Sequence, residues 1–180
     1  ARDDPAAKPW AYKRYRQGRL RPWTDAFDRI YFELGNETWN SLFRPWTFYP
    51  MRDAVNGKQY SRGQVYGLYQ EYVISLLRSS PYWKSADLEP KIEFVLGGWI
   101  RQRYGRDAAS VSPNSDHLTI AAYNGGWDED EGPPDLGLQS YFKVLNQVSQ
   151  SAIPAAMRHS PEVAQINRKR NRRLRLGTYE

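Results

Sequence analysis

Asn36 and Glu37 place an amide and a carboxyl side by side, directly after a short apolar run and a glycine. Residues 30–34 are rich in the β-branched and aromatic types that favour strands, and Gly35 allows the backbone to turn. Parallel α/β sheets present their reactive groups at the carboxyl ends of strands. The pattern predicts a strand end that offers an acid and a hydrogen-bonding amide to a sugar, although a strand followed by a polar turn has the same spacing.

The surrounding block is more specific than the Asn-Glu pair alone. Residues 32–40, Phe-Glu-Leu-Gly-Asn-Glu-Thr-Trp-Asn, resemble the acid/base signature of retaining glycoside hydrolases of clan A, which are sugar-cleaving enzymes built on a TIM barrel. The resemblance implies that Glu37 closes the fourth barrel strand as general acid/base and that Asn36 hydrogen-bonds the substrate's 2-hydroxyl. Residues 174–180 look like the seventh strand, which would make Glu180 the nucleophile.

The same resemblance implies a double displacement that needs no metal and no organic cofactor. Ionised Glu180 would attack the anomeric carbon while protonated Glu37 protonates the leaving oxygen, and water would then release the sugar with retention of configuration. Tyr123, near the end of the sixth strand, would hold the nucleophile by a hydrogen bond and keep its pKa low. Without the resemblance, Tyr123 is equally well explained as a half-buried strand-end tyrosine.

Four large aromatic residues follow the predicted strand ends. An indole face can cover the C–H face of a pyranose, so we expect tryptophans at the strand ends to line a substrate cleft and stack on sugar. Each of them could instead pack within its own loop. The four candidates are Trp39, Trp46, Trp99 and Trp127. Glu33 lies inside the strand, and we expect it to pair with a basic group in the barrel interior.

The chain alternates strands and helices as repeated βα units do, which predicts an α/β fold with about four parallel strands. The predicted strands are residues 30–34, 91–96, 118–123 and 174–180. The predicted helices begin at Ser61 and end before Pro81, span residues 106–111 and 138–148, and begin again at Ser160. Residues 39–60 are expected to form a long cleft-building loop, and residues 1–28 to be loop with a possible short helix over 6–16.

The chain has 180 residues, whereas a complete barrel typically needs about 250. We therefore expect residues 1–180 to be a single incomplete TIM-barrel domain, with residues 1–28 before the fourth strand and residues 29–180 forming the fourth to seventh βα units. Such a fragment would need the remainder of its parent chain, and alone it would be marginally stable and inactive. Its secretory signal would lie upstream, with an extracellular or periplasmic destination.

Composition restricts the rival functions. The chain has no cysteine, which excludes disulfides and thiol chemistry, and no apolar run long enough for a membrane span. Its net charge of +6 gathers in residues 8–21 and 168–175, which suits nucleic acid, an acidic polysaccharide or simply a solvated surface. We expect a carbohydrate partner and no nucleic acid, because basic runs do not explain the Asn-Glu strand end.

Two further groups of polar residues suggest metal binding only weakly. The acidic residues 128–131 are consecutive and lack a calcium-loop spacing, so a solvated loop is expected. His117 and His159, the only histidines, fit no metal-ligand or triad spacing. The remaining alternatives to a glycosidase are a carbohydrate-binding module or inactive relative, a basic nucleic-acid-binding protein and a purely structural fragment.

Overall fold

The computed structural model describes residues 8–43, 47–100, 102–121, 153–170 and 173–179, together with Phe142, Asn146 and Gln150. Its strands are β1 (Ile30–Glu33), β2 (Met51–Arg52), β3 (Gln59–Tyr60), β4 (Ile92–Trp99), β5 (His117–Ala121) and β6 (Arg175–Tyr179). Its helices are α1 (Pro9–Arg16), α2 (Arg62–Ser79), α3 (Pro81–Ser85), α4 (Tyr104–Val111), α5 (Ile153–Met157) and α6 (His159–Arg170), with a 3-10 turn at Trp23–Asp25.

Four strands form one parallel sheet in the order β1-β4-β5-β6. Each strand pairs with the next main strand along the chain, and α2, α4 and α6 form the connections between them. The prediction of an α/β fold with about four parallel strands is thereby confirmed. β4 extends through two glycines to Trp99, beyond its predicted end.

One face of the sheet packs on the helices. A shared core joins Leu96, Leu118 and Ile120 of the strands to Tyr66 of α2 and Ala108 of α4, and it also includes Val163 of α6. The close approach of α2 and α4 requires a glycine, because a Cβ at Gly67 would lie 2.4 Å from the Ala108 carbonyl oxygen. Side chains alternate across a strand, so the neighbouring residues point to the opposite face.

That opposite face carries polar side chains in register. Val95 of β4 stands beside Glu33 of β1 and His117 of β5, and His117 stands beside Arg175 of β6. Glu93 accepts hydrogen bonds from Arg29 at 3.0 Å, His117 at 2.6 Å and Arg175 at 2.8 Å. This ionic cluster lies toward the amino ends of the strands, away from the predicted reactive edge.

Several local predictions hold and others need correction. Ser61 caps α2 with a full capping box, and the helix ends at Ser79 as expected. The predicted loop over residues 39–60 is wrong in one part, because β2 and β3 form a short antiparallel hairpin around a turn that Asp53 organises by accepting from Val55 and Asn56. A further helix, α3, follows α2 directly, since Ser80 caps it and Pro81 occupies its first turn.

The amino-terminal segment contains the short helix that the sequence allowed, α1. Its aromatic side chains Trp10, Tyr12 and Tyr15 are exposed, and Lys13 and Arg16 lie over the rings of Trp10 and Tyr12. At the other end of the chain, α6 begins one residue before the predicted Ser160. Most of the helix predicted over residues 138–148 lies outside the described residues.

Candidate functional site at the carboxyl ends of the strands

The segment after β1 forms a tight turn that orients Glu37. Gly35 adopts a φ of 77°, as its predicted turning role requires, and Glu37 itself has a φ of 42°. The Asn40 backbone N–H donates to the Glu37 backbone carbonyl at 2.7 Å and closes the turn. A positive φ is uncommon for a glutamate, so the local backbone holds this carboxyl in a specific direction.

A side-chain hydrogen bond fixes the carboxyl group as well. Asn40 Nδ2 donates to Glu37 Oε2 at 2.9 Å, and Asn40 Oδ1 accepts from the Leu42 backbone at 3.0 Å. Both groups of the Asn40 amide are therefore engaged, and its orientation follows from that pairing. Glu37 is half-buried, while Asn36 is exposed on the same turn.

A cavity of about 330 Å³ adjoins this turn at the carboxyl edge of the sheet. It is lined by Trp39, Asn40, Ser41, Arg62, Trp99 and Gln102. Trp99 is half-buried, whereas Trp39 is only 5% exposed and belongs to the shared core. Glu37 does not itself line the cavity but bonds to Asn40, which does, and the two predicted tryptophans form part of the same wall.

Arg62 anchors the loop that builds this wall. Its guanidinium donates to the Phe48 carbonyl at 2.9 Å and to the Trp39 carbonyl at 3.2 Å, which ties both ends of the loop to the start of α2. The Thr47 hydroxyl donates a further hydrogen bond to the Asn40 backbone carbonyl at 3.0 Å. The site is consequently held by side chains of an ordered helix and loop rather than by the turn alone.

Glu33 is the second carboxyl at this edge, and its predicted ion pair is wrong. Among the described residues no basic group pairs with it, since the nearby cations on this face bind Glu93 instead. The Glu33 carboxyl lies against Gly97, where an added Cβ would be 2.3 Å from Oε1, and beside Trp39. Burial raises the pKa of Glu33 to about 7.

Glu33 also lines a second cavity, of about 450 Å³, on the polar face of the sheet. Tyr31, Val95, His117 and Thr119 complete its lining. His117 donates to Glu93 at 2.6 Å and meets Tyr31 edge to face. The second cavity is therefore lined by a carboxyl that is neutral for part of its population near pH 7.

Glu33 makes the stability of the protein depend on pH. Its pKa rises from an ordinary 4.5 to about 7 on folding, so the folded state loses stability as pH rises from about 4.5 to about 7. One pKa unit corresponds to about 1.4 kcal/mol, and partial exposure reduces the loss to about 1–2 kcal/mol. Glu33→Gln stays neutral, so we expect it to be more stable than the native chain by that amount at pH 8 and equal to it at pH 4.

Urea unfolding of both chains at the two pH values measures this difference. Asp28→Asn is the matched control, because the Asp28 carboxyl is exposed and makes no hydrogen bond or ion pair within the described residues, and its stability should follow that of the native chain at both pH values. A native chain that loses no more stability than Glu33→Gln between pH 4 and 8 would contradict the buried position of Glu33.

Four predicted site residues lie outside the described residues: Trp46, Tyr123, Trp127 and Glu180. The acidic residues 128–131 lie there as well. β6 runs parallel to β1, and the register places Arg175, its first residue, level with Glu33, the last residue of β1. The carboxyl ends of the two strands therefore point in the same direction. Of the described site residues, Trp39 and Trp99 line one cavity, and Asn36 and Glu37 lie on the turn that precedes Trp39.

Sequence reasoning missed Asn40, Arg62 and Gln102. Asn40 belongs to the block that carries the family resemblance, and its position three residues after Glu37 is the spacing of a turn. Arg62 and Gln102 give no comparable sequence signal, because their contacts arise only from the packing of α2 and of the segment after β4 against the loop.

The described residues include no group of three or more metal-ligating side chains that could hold an ion, and none of the helices in that part of the chain could cross a membrane. Comparison with known proteins yields no matching family model, no matching curated protein and no matching solved structure. Membership of the glycoside hydrolase clan therefore stays a prediction from the sequence motif.

Proposed function

We propose that this chain is the segment from the fourth to the seventh βα unit of a TIM-barrel glycoside hydrolase that acts with retention of configuration. Glu37 would be the acid/base, Asn36 would bind the 2-hydroxyl of the sugar, and Glu180 would be the nucleophile. The substrate would be a poly- or oligosaccharide with an O-glycosidic bond.

One observation carries the proposal. The Glu37 carboxyl, held by Asn40, lies at the carboxyl end of a parallel strand beside a cavity whose wall includes Trp39 and Trp99. Carboxyl ends of parallel strands are where barrel enzymes place their reactive groups, and indole walls suit sugar rings. The strand order β1-β4-β5-β6 with intervening helices is also the order that a barrel segment would have.

If Glu180 is the second carboxyl, the distance between the carboxyl groups of Glu37 and Glu180 would distinguish a retaining from an inverting mechanism. Retaining enzymes separate the two carboxyl groups by about 5–5.5 Å, and inverting enzymes by about 6.5–9.5 Å. The direct test is the configuration of the first product. Proton NMR of the intact polypeptide, meaning the parent chain that completes the proposed barrel, with a panel of 4-nitrophenyl glycosides should detect, at early times, a free sugar with the anomeric configuration of the substrate.

Inversion of the first product would contradict the retaining mechanism, and no turnover of any glycoside by the intact polypeptide would contradict the enzyme assignment. In the second case, binding of oligosaccharide without hydrolysis would favour a carbohydrate-binding module or an inactive relative. Calorimetry with the same sugars separates these outcomes.

The exposed aromatic and basic side chains of α1 favour a second candidate, a surface that binds single-stranded nucleic acid. Trp10, Tyr12 and Tyr15 could stack bases while Lys13 and Arg16 contact phosphates. Such binding weakens steeply as salt concentration rises. Fluorescence anisotropy with a labelled oligonucleotide at 50 and 200 mM salt tests it, and unmeasurable binding at the lower salt would exclude it.

A further inference from the structure

A third cavity, of about 430 Å³, lies away from the candidate active site, among α4, α5 and α6. Arg106 of α4, His159 of α6 and Arg158, which precedes that helix, line it together with Ile100 and Ala155. It shares no lining residue with the cavity beside Glu37. Its two arginines and buried histidine have no part in the proposed glycosidase chemistry.

The hydrogen bond of His159 determines which ring nitrogen is unpaired. His159 Nε2 lies 2.9 Å from the Ile100 carbonyl oxygen, and a carbonyl only accepts, so Nε2 carries a hydrogen. In the neutral ring Nδ1 is then an acceptor. His159 is 1% exposed, and within the part of the chain that the structure describes Nδ1 has no hydrogen-bond partner.

Burial is the main reason that this ring stays neutral. Burial lowers the pKa of His159, and the positive charges of Arg106 and Arg158 lower it further. The hydrogen bond to Ile100 and the negative charge of Glu162 act in the opposite direction. A buried acceptor without a donor is costly. Because His159 is one of the lining residues of the cavity, a group bound there is the candidate donor to Nδ1.

The two arginines that line the cavity are hydrogen-bond donors, so they need acceptors. The Arg106 guanidinium bonds to Glu162 through Nη1, but its Nε is buried without a partner. Glu162 also pairs with Arg103 at 3.4 Å, so its charge is shared between two arginines. Arg158 is exposed and has no ion pair among the described residues. The cavity thus combines cationic donors with one buried acceptor.

We propose that this cavity binds a phosphate group that carries a proton. Its P–OH would donate to His159 Nδ1, and its anionic oxygens would accept from the guanidinium groups of Arg106 and Arg158. Hydrogen phosphate meets both requirements at once, whereas sulfate and a simple carboxylate present only acceptors at neutral pH. This inference is independent of the proposed glycosidase function.

Calorimetry with inorganic phosphate and with sulfate at pH 8 and equal ionic strength tests the site. The two anions have the same shape, and His159 is neutral at this pH, so we expect phosphate to bind at least about tenfold more tightly than sulfate because only phosphate donates a hydrogen bond. Equal affinity for the two anions, or no phosphate binding at millimolar concentration, would overturn the proposal.

Two variants assign the contacts. Arg158→Ala should weaken phosphate binding about tenfold or more, and Lys169→Ala, which removes the same charge from an exposed position at the far end of α6, should leave it unchanged. His159→Phe keeps a ring of similar size but removes both ring nitrogens, so its preference for phosphate over sulfate should fall to about one. Native-like binding by Arg158→Ala, or a retained preference in His159→Phe, would contradict the assignment.

Circular dichroism confirms that each variant is folded before its binding is compared. Methyl phosphate in place of inorganic phosphate then tests the P–OH group. At pH 8 a phosphate monoester has lost its second proton and has no hydrogen bond to donate, so we expect it to bind no more tightly than sulfate, which would identify the free anion as the ligand. Binding of the ester as tight as that of inorganic phosphate would contradict the role of the P–OH group.

Discussion

Glu37→Gln in the intact parent polypeptide should lower kcat/KM for glycoside hydrolysis by about 10²–10⁴-fold, the usual contribution of a positioned general acid or base. Glutamine preserves the shape of the side chain and can still accept from Asn40, which donates to Glu37 Oε2 at 2.9 Å, but it cannot give a proton to the leaving oxygen. The loss in the first chemical step should be smallest for aryl glycosides with acidic leaving groups, because these need little protonation.

Steady-state kinetics with alkyl and aryl glycosides measure that dependence. Asp28→Asn, an equivalent carboxyl-to-amide change at an exposed position, is the control and should keep native rates. Native rates in Glu37→Gln would remove Glu37 from the acid/base role. A uniform loss that is independent of the leaving group would point to a positioning role instead.

Phe94→Ala should destabilise the fold by about 3–5 kcal/mol, the usual cost of deleting a buried phenyl ring. Phe94 is 1% exposed and stacks on Trp83 with ring centres 6.1 Å apart, and it meets Phe32 edge to face at 6.0 Å. Its ring connects β1, β4 and α3, so its removal leaves a cavity that the rigid sheet cannot close. Since domains are stable by only about 5–15 kcal/mol, this is a large fraction of the total.

Urea unfolding followed by circular dichroism measures the difference. Tyr82→Ala, which removes an exposed aromatic ring from α3, should change the stability by no more than about 0.5 kcal/mol. A loss below about 1 kcal/mol for Phe94→Ala would be incompatible with the described packing.

Local sequence patterns were sufficient to predict the main helix and the four parallel strands. The apolar spacing after Ser61 and its capping box define α2, and the apolar runs define β4 and β5. The hairpin of β2 and β3 was missed because each strand has two residues, too few for an alternating pattern. It depends on the Asp53 side chain, which holds the turn.

The candidate site was predictable only where its residues are neighbours in the chain. Asn36, Glu37 and Trp39 belong to one block, whereas the environment of Glu33 depends on the register that brings β4 beside β1 and places Gly97 against its carboxyl. The paired state of Arg62 and the unpartnered Nδ1 of His159 likewise arise from contacts between distant segments. No periodicity in the sequence encodes such contacts.

The left-handed backbone at Glu37 implies a conflict between stability and activity at that position. For residues with a side chain this conformation costs about 1–2 kcal/mol relative to an ordinary one, and glycine adopts it without penalty. On stability alone, the turn at φ 42° would therefore select glycine. The proposed acid/base role would account for the glutamate, and the bonds that Asn40 makes to both its backbone and its side chain offset the cost.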